Sequence, residues 1–280
     1  MLTYLTELTL LPIWFFYLSI FCLGAIIGSF LNVVIYRFHT GKSLNGSSHC
    51  LSCAKQLRWY ELFPLFSYVA LGGRCLGCKS FVPVRYFVVE FLTAGMFVVA
   101  AHLAGSIEMF IWLTSMFIVL ILITVYDYYH FIIPDEMTAA LMVLMAAWLG
   151  LQYWLGALTL YPLGVLIAAS VAGASFFFSL WFVSRGQWLG FGDVKLAIPL
   201  GLWVGATSVF SFIVVSFWIG AAISLLILAW QKYERGKRRL HLSAETLTMK
   251  SAVPFAPFMI AGAALVYITQ FDVLSLFSFV

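Results

Sequence analysis

The chain has 280 residues, of which 64% are hydrophobic and 9% are charged. A globular domain carries about 25% charged residues, so the composition excludes a soluble domain and predicts a protein that crosses a membrane several times. The formal net charge of +4 is small, and we expect no nucleic-acid partner.

The N-terminal region predicts the orientation of the chain. Met1 to Pro12 contains no Lys or Arg and carries Glu7, so it lacks the basic start of a cleavable signal peptide. The following run, Ile13 to Tyr36, is long enough to cross the hydrocarbon core, and Arg37 comes directly after it. By the positive-inside rule, the N-terminus lies outside and Arg37 lies in the cytoplasm.

Residues 37–85 form the only sizeable hydrophilic stretch, and further apolar runs follow it. The run Leu196–Trp230 is too long for one span; it is either one overlong helix or two helices that turn near Gly205–Ser208. A basic cluster at Lys232–Arg239 favours two, because two spans return it to the cytoplasm, where it would bind anionic lipid head groups. The other expected spans are Phe87–Gly105, Glu108–Val125, Met137–Leu155, Leu158–Val183 and Val253–Gln270.

The sequence therefore predicts an all-α polytopic membrane protein with about eight transmembrane helices and both termini outside. All 15 Lys and Arg residues then lie on the cytoplasmic side or at its boundary. Three parts are expected: a first span over 1–36, a small cytoplasmic domain over 37–85 and a seven-helix membrane domain over 86–280. We expect membrane lipids as partners, and the oligomeric state stays open.

Two C-x-x-C pairs lie in the cytoplasmic part, Cys50 with Cys53 and Cys75 with Cys78, separated by 21 residues. Two such pairs can complete a tetrahedral Cys₄ shell for a structural Zn²⁺ ion. The alternative is a pair of disulfides, but disulfides rarely persist in a reducing cytoplasm. We expect a structural zinc ion, which would fold a segment too small to build its own core. Cys22 lies within the first span and is expected to be a buried apolar residue.

Carboxylates near membrane depth are costly and usually functional. Asp127 follows an apolar span rather than starting one, and Asp193 follows two glycines in Gly190-Phe191-Gly192-Asp193. Asp193 could equally cap the next helix. Glu90 lies about one turn inside its span, either as a substrate contact or as half of a buried ion pair. Glu108, Asp135 and Glu136 begin helices, where a carboxylate is favourable.

If Asp127 and Asp193 meet, they form a candidate catalytic pair. Two carboxylates in one site cannot both ionise cheaply, so one keeps its proton while the other is charged. The ionised group can take a proton from water while the protonated group donates to a scissile carbonyl. This chemistry hydrolyses a peptide bond at the cytoplasmic edge of a bilayer.

An ordered set of motifs resembles the type IV prepilin peptidases, the bifunctional leader peptidase/N-methyltransferases of pilus and type II secretion systems. The set includes both cysteine pairs, Asp127 with Ile133-Pro134-Asp135, and Gly190-x-Gly192-Asp193-Val194-Lys195. It begins at Gly28-Ser29-Phe30-Leu31-Asn32 and ends at Val253-Pro254-Phe255-Ala256-Pro257-Phe258.

The resemblance implies a multi-pass protein of the bacterial inner membrane with periplasmic termini and an active site facing the cytoplasm. It implies that Asp127 and Asp193 are the catalytic pair of an aspartyl protease that cuts the basic leader of prepilins or pseudopilins after a glycine. It also implies methylation of the new N-terminal amine from S-adenosylmethionine, although no motif identifies the residues that bind this methyl donor.

The chain departs from the family pattern in places. A usual proline is Leu51, a usual Asn-Ile-Pro stretch reads Glu61-Leu62-Phe63-Pro64, and a usual glycine is Ala256. The Glu61 region belongs to the part associated with methylation. Two other classes remain open: a transporter or channel that uses Asp127 and Asp193 as ion ligands, and a scaffold whose zinc domain docks cytoplasmic proteins.

Overall fold

A computed structural model describes residues 12–38, 43, 45–237 and 253–277, without the side chains of residues 232–237 and 277. The basic cluster at Lys232–Arg239 therefore lies outside the described side chains. The predicted all-helical architecture is confirmed. Within the described ranges the α-helices are α1 (Ile13–Arg37), α2 (Phe66–Ala70), α3 (Arg85–Leu103), α4 (Ile107–His130), α5 (Asp135–Trp154), α6 (Leu160–Ser184), α7 (Phe191–Val204), α8 (Val209–Lys237) and α9 (Ala256–Thr269).

Six helical segments in the described part of the chain are long and apolar enough to cross a membrane: α1, α3, α4, α5, α6 and the segment Ala206–Gln231, which contains most of α8. The remaining two long helices, α7 and α9, have 14 residues each. At 1.5 Å per residue each is about 21 Å long, shorter than the ~30 Å hydrocarbon core.

The long apolar run Leu196–Trp230 forms parts of two helices, α7 and α8. The alternative of one overlong helix is therefore wrong. Helix α7 ends at Val204, and Gly205 follows with φ 92°. This backbone conformation suits glycine, because it has no Cβ. A short 3₁₀ turn over Ala206–Ser208 then leads into α8. The break falls at the predicted Gly205–Ser208 position.

The chain divides into two compact units, residues 1–122 and 123–280, and the division falls inside α4. In the first unit α1 packs closely on α3 through small residues. A Cβ added at Gly24 would lie 2.7 Å from Ala94 Cα, and one added at Gly28 would lie 2.7 Å from Glu90 Cα. This Gly-x-x-x-Gly spacing places both glycines on one helix face and lets the two backbones approach.

In the second unit α6, α7, α8 and α9 pack around a buried core. The Ser170 hydroxyl of α6 donates to the Ile198 carbonyl of α7 at 2.7 Å. A Cβ at Gly262 of α9 would lie 2.4 Å from Ser216 Oγ of α8. Small residues thus set the close helix spacing, and large side chains fill the remaining space: Phe177, Leu196, Leu200, Phe212, Met259 and Val266 are almost completely buried.

Candidate functional site

Asp127 lies in the last turn of α4, inside the helix rather than just beyond it as the sequence analysis placed it. The helical bonding continues past this residue, since the Phe131 N–H donates to the Asp127 carbonyl at 2.8 Å. The Asp127 residue is only 5% exposed. The backbone N–H of Ala256, the first residue of α9, donates to the Asp127 carboxyl group.

Asp193 is the third residue of α7, and it caps that helix. Its Oδ2 accepts a hydrogen bond from the Gly190 N–H at 3.1 Å, while the Asp193 N–H donates to the Gly190 carbonyl at 3.2 Å. The capping role that the sequence left open is therefore present. The Asp193 residue is only 7% exposed, however. A helix cap does not require a carboxyl group to be buried this deeply.

The two carboxyl groups are close enough for their charges to interact. Each receives a backbone N–H from the N-terminal end of a helix, α9 for Asp127 and α7 for Asp193. Helix N-termini favour negative charge. Among the described residues, no group hydrogen-bonds to the buried Asp127 Oδ2. The pair thus combines buried carboxyls, mutual repulsion and an oxygen free to bind a proton or a reactant.

The connector between α4 and α5 supports the glycine-flanked turn that carries Asp193. Phe131 adopts a left-handed conformation with φ 55°, which turns the chain sharply after α4. Ile133 is then buried, and a Cβ added at Gly192 would lie 3.0 Å from Ile133 Cβ. The absence of a side chain at Gly192 therefore lets the start of α7 lie against the connector.

An ion pair lies beside this turn. The Lys195 ammonium of α7 binds the Asp135 carboxylate at the start of α5. Pro134, rather than Asp135, occupies the N-cap position of α5. Asp135 was predicted to be a helix cap, and its pairing with Lys195 was not predicted. The sequence held one indication of this pair, because Asp135 belongs to the motif of Asp127 and Lys195 to the motif of Asp193. The sequence gives no distance between the two motifs, however.

The four cysteines predicted to bind metal lie together between α1 and α3. The sulfurs of Cys50, Cys53, Cys75 and Cys78 lie within 4.8 Å of one another. The Cys50 and Cys78 sulfurs are 3.8 Å apart. Four ligands at the usual Zn–S distance of ~2.3 Å would have sulfurs about 3.8 Å apart in a tetrahedron. The cluster could hold a zinc ion.

The two cysteine turns have the same backbone pattern. In the first, the Ala54 N–H bonds the Cys50 carbonyl; in the second, the Lys79 N–H bonds the Cys75 carbonyl, each at 3.0 Å. Backbone N–H groups of Cys53 and Ser52 lower the pKa of the Cys50 thiol to about 6. In the same turn the Lys55 backbone N–H lowers the pKa of the Cys53 thiol, but burial and the neighbouring thiols outweigh it and raise that pKa to about 11. Since the thiolate is the form that binds metal, Cys50 is the better prepared ligand of the two.

Two buried glutamates lie in the first unit. Glu90 Oε2 accepts the backbone N–H of Leu65 at 2.8 Å. Glu61 accepts the Arg58 N–H at 2.9 Å and pairs with Lys55 at 3.2 Å. The Arg58 N–H, followed by Lys55, lowers the pKa of Glu61. Glu61 thus ties together the segment between the cysteine pairs.

The fold and the site define a class of helical membrane protein with a buried aspartate pair and a Cys₄ cluster. Comparison with known protein families identifies the family within this class. The model of the bacterial peptidase A24 N-terminal domain matches residues 22–104, and that of the type IV leader peptidase family matches residues 114–225. The chain therefore belongs to the type IV leader peptidase family, also called peptidase A24.

Relatives named prepilin leader peptidase/N-methyltransferase support this assignment. The Pseudomonas putida protein is 31% identical over 71% of this chain and 76% of its own length. The Pseudomonas aeruginosa protein is 28% identical over 88% of each. The Myxococcus xanthus protein is 33% identical over 66% of this chain, but only 55% of that relative is covered. No solved structure matches the chain.

Proposed function

We propose that this protein is a membrane aspartic endopeptidase that removes the basic leader from type IV prepilins or type II secretion pseudopilins after a glycine. Asp127 and Asp193 are its catalytic pair. The observation that supports this most strongly is that two carboxyl groups are buried and interact electrostatically at helix ends. Their placement in terminal turns speaks against the transporter alternative, because transporter sites usually lie at the bilayer midplane between broken helices.

The pair can hydrolyse an amide bond without a covalent intermediate. The ionised carboxylate takes a proton from water, and the oxygen of that water attacks the scissile carbonyl carbon. The protonated carboxyl gives its proton to the carbonyl oxygen, which neutralises the developing charge. Collapse of the tetrahedral intermediate breaks the C–N bond, and the leaving amine takes the proton that the first carboxylate had abstracted from water. A hydroxyl of the intermediate returns its proton to the other carboxylate as the new carbonyl forms, which restores the pair to its starting state. The two groups titrate as one unit.

We further propose that eight helices lie in the bacterial inner membrane, with α7 and α9 added to the six long apolar segments. Both termini are then periplasmic, and the aspartates face the cytoplasm. The functional parts are the first span (1–36), the zinc domain (37–85) and the peptidase domain (86–280). The placement of Lys and Arg residues in the sequence supports this orientation.

A second activity, methylation of the new N-terminal amine, is proposed because the relatives carry the name N-methyltransferase. S-adenosylmethionine would supply a methyl group attached to a sulfonium. With the donor bound, the amine nitrogen of the cleaved product would take this methyl group as the bond between carbon and sulfur breaks, and the amine proton would leave to solvent. In the first unit, Cys50, Cys53, Cys75 and Cys78 would hold a structural zinc ion.

The test is incubation of the purified full-length protein in nanodiscs with a prepilin and S-adenosylmethionine, read by mass spectrometry. We expect loss of the leader and, on the product, the added mass of one methyl group. Asp127→Asn and Asp193→Asn should each abolish cleavage, with membrane insertion and zinc content unchanged. Cleavage by either variant at the wild-type rate would rule out the pair as the catalytic group.

A matched control is Asp272→Asn, since this aspartate lies beyond α9 and its Oδ1 accepts a bond from the Ser211 hydroxyl at 2.8 Å. The same chemical change there should leave the cleavage rate close to that of the wild type. Loss of cleavage in this variant as well would indicate damage to the fold rather than to the catalytic pair.

A further inference from the structure

A cavity of about 1010 Å³ lies within the first unit. Its walls come from α1, the segment with the cysteine turns, and the start of α3. Known ligand sites have volumes of about 300–1,000 Å³, so the space suits a molecule the size of a nucleoside joined to an amino acid. Neither the aspartate pair nor the proposed zinc shell accounts for this volume.

The lining of the cavity includes a buried acid that a backbone N–H group holds in place. Glu90 is 8% exposed, and its Oε2 accepts the Leu65 N–H at 2.8 Å. Leu65 has φ 61°, a conformation that a leucine rarely adopts. The Ser29 side chain also hydrogen-bonds to the Glu90 carboxyl group. A carboxylate can accept about four hydrogen bonds, so Glu90 retains capacity to accept bonds from a ligand in the cavity.

The lining also includes a buried amide, that of Asn32. Asn32 is 4% exposed, and its Nδ2 donates to the Tyr86 carbonyl at 3.1 Å. This bond fixes the direction of the amide. Among the described residues, nothing hydrogen-bonds to Asn32 Oδ1. A buried acceptor without a partner costs about 1–3 kcal/mol, and a ligand N–H or O–H group would satisfy it.

The lining also provides positive charge and aromatic rings. Arg37 and Arg74 line the cavity, as do Tyr68 and Tyr86. The Arg37 guanidinium also bonds the Ser43 carbonyl at 2.7 Å, which holds it near the cavity. Arginine binds carboxylates, and aromatic rings attract cations over their faces. A ligand with a carboxylate, cationic centres and hydroxyl groups would find a partner for each.

We infer that this cavity is the binding site of the methyl donor, with Asn32 and Glu90 contacting the polar groups of S-adenosylmethionine. The inference rests on the proposed methyl transfer and deepens it. The donor carries an ammonium, a sulfonium and a ribose diol, all of which suit a carboxylate and an amide oxygen. Its own carboxylate suits Arg37 or Arg74. The lining combines apolar surface with charged and polar side chains, and a zwitterionic nucleoside offers partners to both.

The experiment measures binding of radiolabelled S-adenosylmethionine to the full-length protein in nanodiscs by equilibrium dialysis. The wild type should bind saturably. Glu90→Gln and Asn32→Leu should each weaken binding at least tenfold while zinc content and leader cleavage stay at wild-type levels. Glu108→Gln makes the same change at an exposed acid outside the cavity and should bind as the wild type does.

A second measurement needs no variant. Ultraviolet cross-linking of the labelled donor to the wild type, followed by peptide mapping, should place the label on segments that line the cavity. Label confined to residues 123–280, or wild-type affinity in both Glu90→Gln and Asn32→Leu, would overturn the inference.

The two proposals can fail separately. A wild-type protein that cleaves prepilin but binds no S-adenosylmethionine would overturn the inference and the methyl transfer, with the peptidase intact. A protein that binds the donor at the mapped cavity but cleaves no prepilin would support the inference and overturn the peptidase proposal.

Discussion

The Lys195 ammonium binds the Asp135 carboxylate, and this contact joins the N-terminal parts of α7 and α5 beside the aspartate pair. The side chain of Asp135 is 75% exposed and that of Lys195 is 36% exposed. Exposed ion pairs contribute about 0–1 kcal/mol. Lys195 also lies 5.3 Å from the centre of the Phe191 ring. The pair therefore helps to orient the turn that holds Asp193, without determining its position alone.

Removal of the ion pair should have a small effect. We expect Lys195→Ala to lower the rate of prepilin cleavage by no more than about fivefold, which corresponds to about 1 kcal/mol. Asp193→Asn, two residues earlier, should abolish cleavage under the same conditions. The double variant Asp135→Lys with Lys195→Asp should recover part of the lost rate. A loss with Lys195→Ala as severe as that with Asp193→Asn would show that Lys195 acts directly on the substrate.

A side chain at Gly192 should displace the turn that carries Asp193. The added Cβ would lie 3.0 Å from Ile133 Cβ, so the start of α7 or the connector must shift by a few tenths of an ångström. Misplacement of a catalytic group by ~1 Å can cost about 100-fold in rate. For this smaller shift we expect Gly192→Ala to lower the cleavage rate about tenfold.

The matched control is Gly164→Ala in α6, where an added Cβ would meet nothing within 4 Å. Alanine favours a helix over glycine by up to ~1 kcal/mol, so this variant should keep the wild-type rate and unfold at the same or a higher temperature. A wild-type rate in Gly192→Ala would mean that the connector yields and that close contact with Ile133 does not position Asp193.

The sequence predicted much of this architecture because its strongest signals are local. Apolar runs predicted the helices, and Gly205 predicted the break between α7 and α8. The C-x-x-C spacing predicted the cysteine cluster. The contact between Lys195 and Asp135 was not predicted, because it joins residues 60 positions apart. The Ala256 N–H that bonds Asp127 was missed for the same reason, and a backbone donor leaves no trace in residue identity.

The boundary of α4 was also predicted wrongly, for a physical reason. The prediction ended the span at Val125, where polar and aromatic residues begin. Apolar length reports where a helix leaves the hydrocarbon, whereas the helix itself ends where its backbone bonding ends. That bonding continues to Phe131, which takes the left-handed conformation usually seen with glycine. No glycine was present to mark the end.

Close packing of α1 on α3 predicts a stability effect in the first unit. A Cβ at Gly28 would lie 2.7 Å from Glu90 Cα, which is backbone and cannot rotate away. Overpacking of this kind costs about 1–3 kcal/mol. We expect Gly28→Ala to unfold at lower denaturant concentration and to bind S-adenosylmethionine more weakly. Gly95→Ala in α3, where nothing lies within 4 Å, should unfold like the wild type; equal stability of the two variants would contradict the close packing.

The cysteine cluster predicts one zinc ion per chain, measurable by elemental analysis of purified protein. Cys75→Ser should lose the ion, because Cys75 is the buried member of the four and a hydroxyl is a poor zinc ligand. Cys22→Ser should keep it, since Cys22 lies in α1 outside the cluster. Cys22 is exposed, so the prediction that it is buried was wrong. Intact zinc in Cys75→Ser would show that the four sulfurs do not form the metal site.

Removal of the zinc should affect the two proposed activities differently. Cys50 and Cys75 line the cavity of the first unit, and a structural zinc ion contributes folding free energy directly. We therefore expect Cys75→Ser to lose binding of S-adenosylmethionine at least tenfold. The aspartate pair belongs to the second unit, so leader cleavage should persist at a tenth of the wild-type rate or more. Complete loss of cleavage would mean that the peptidase depends on the zinc-bound fold, because no part of the carboxylate chemistry itself requires the metal.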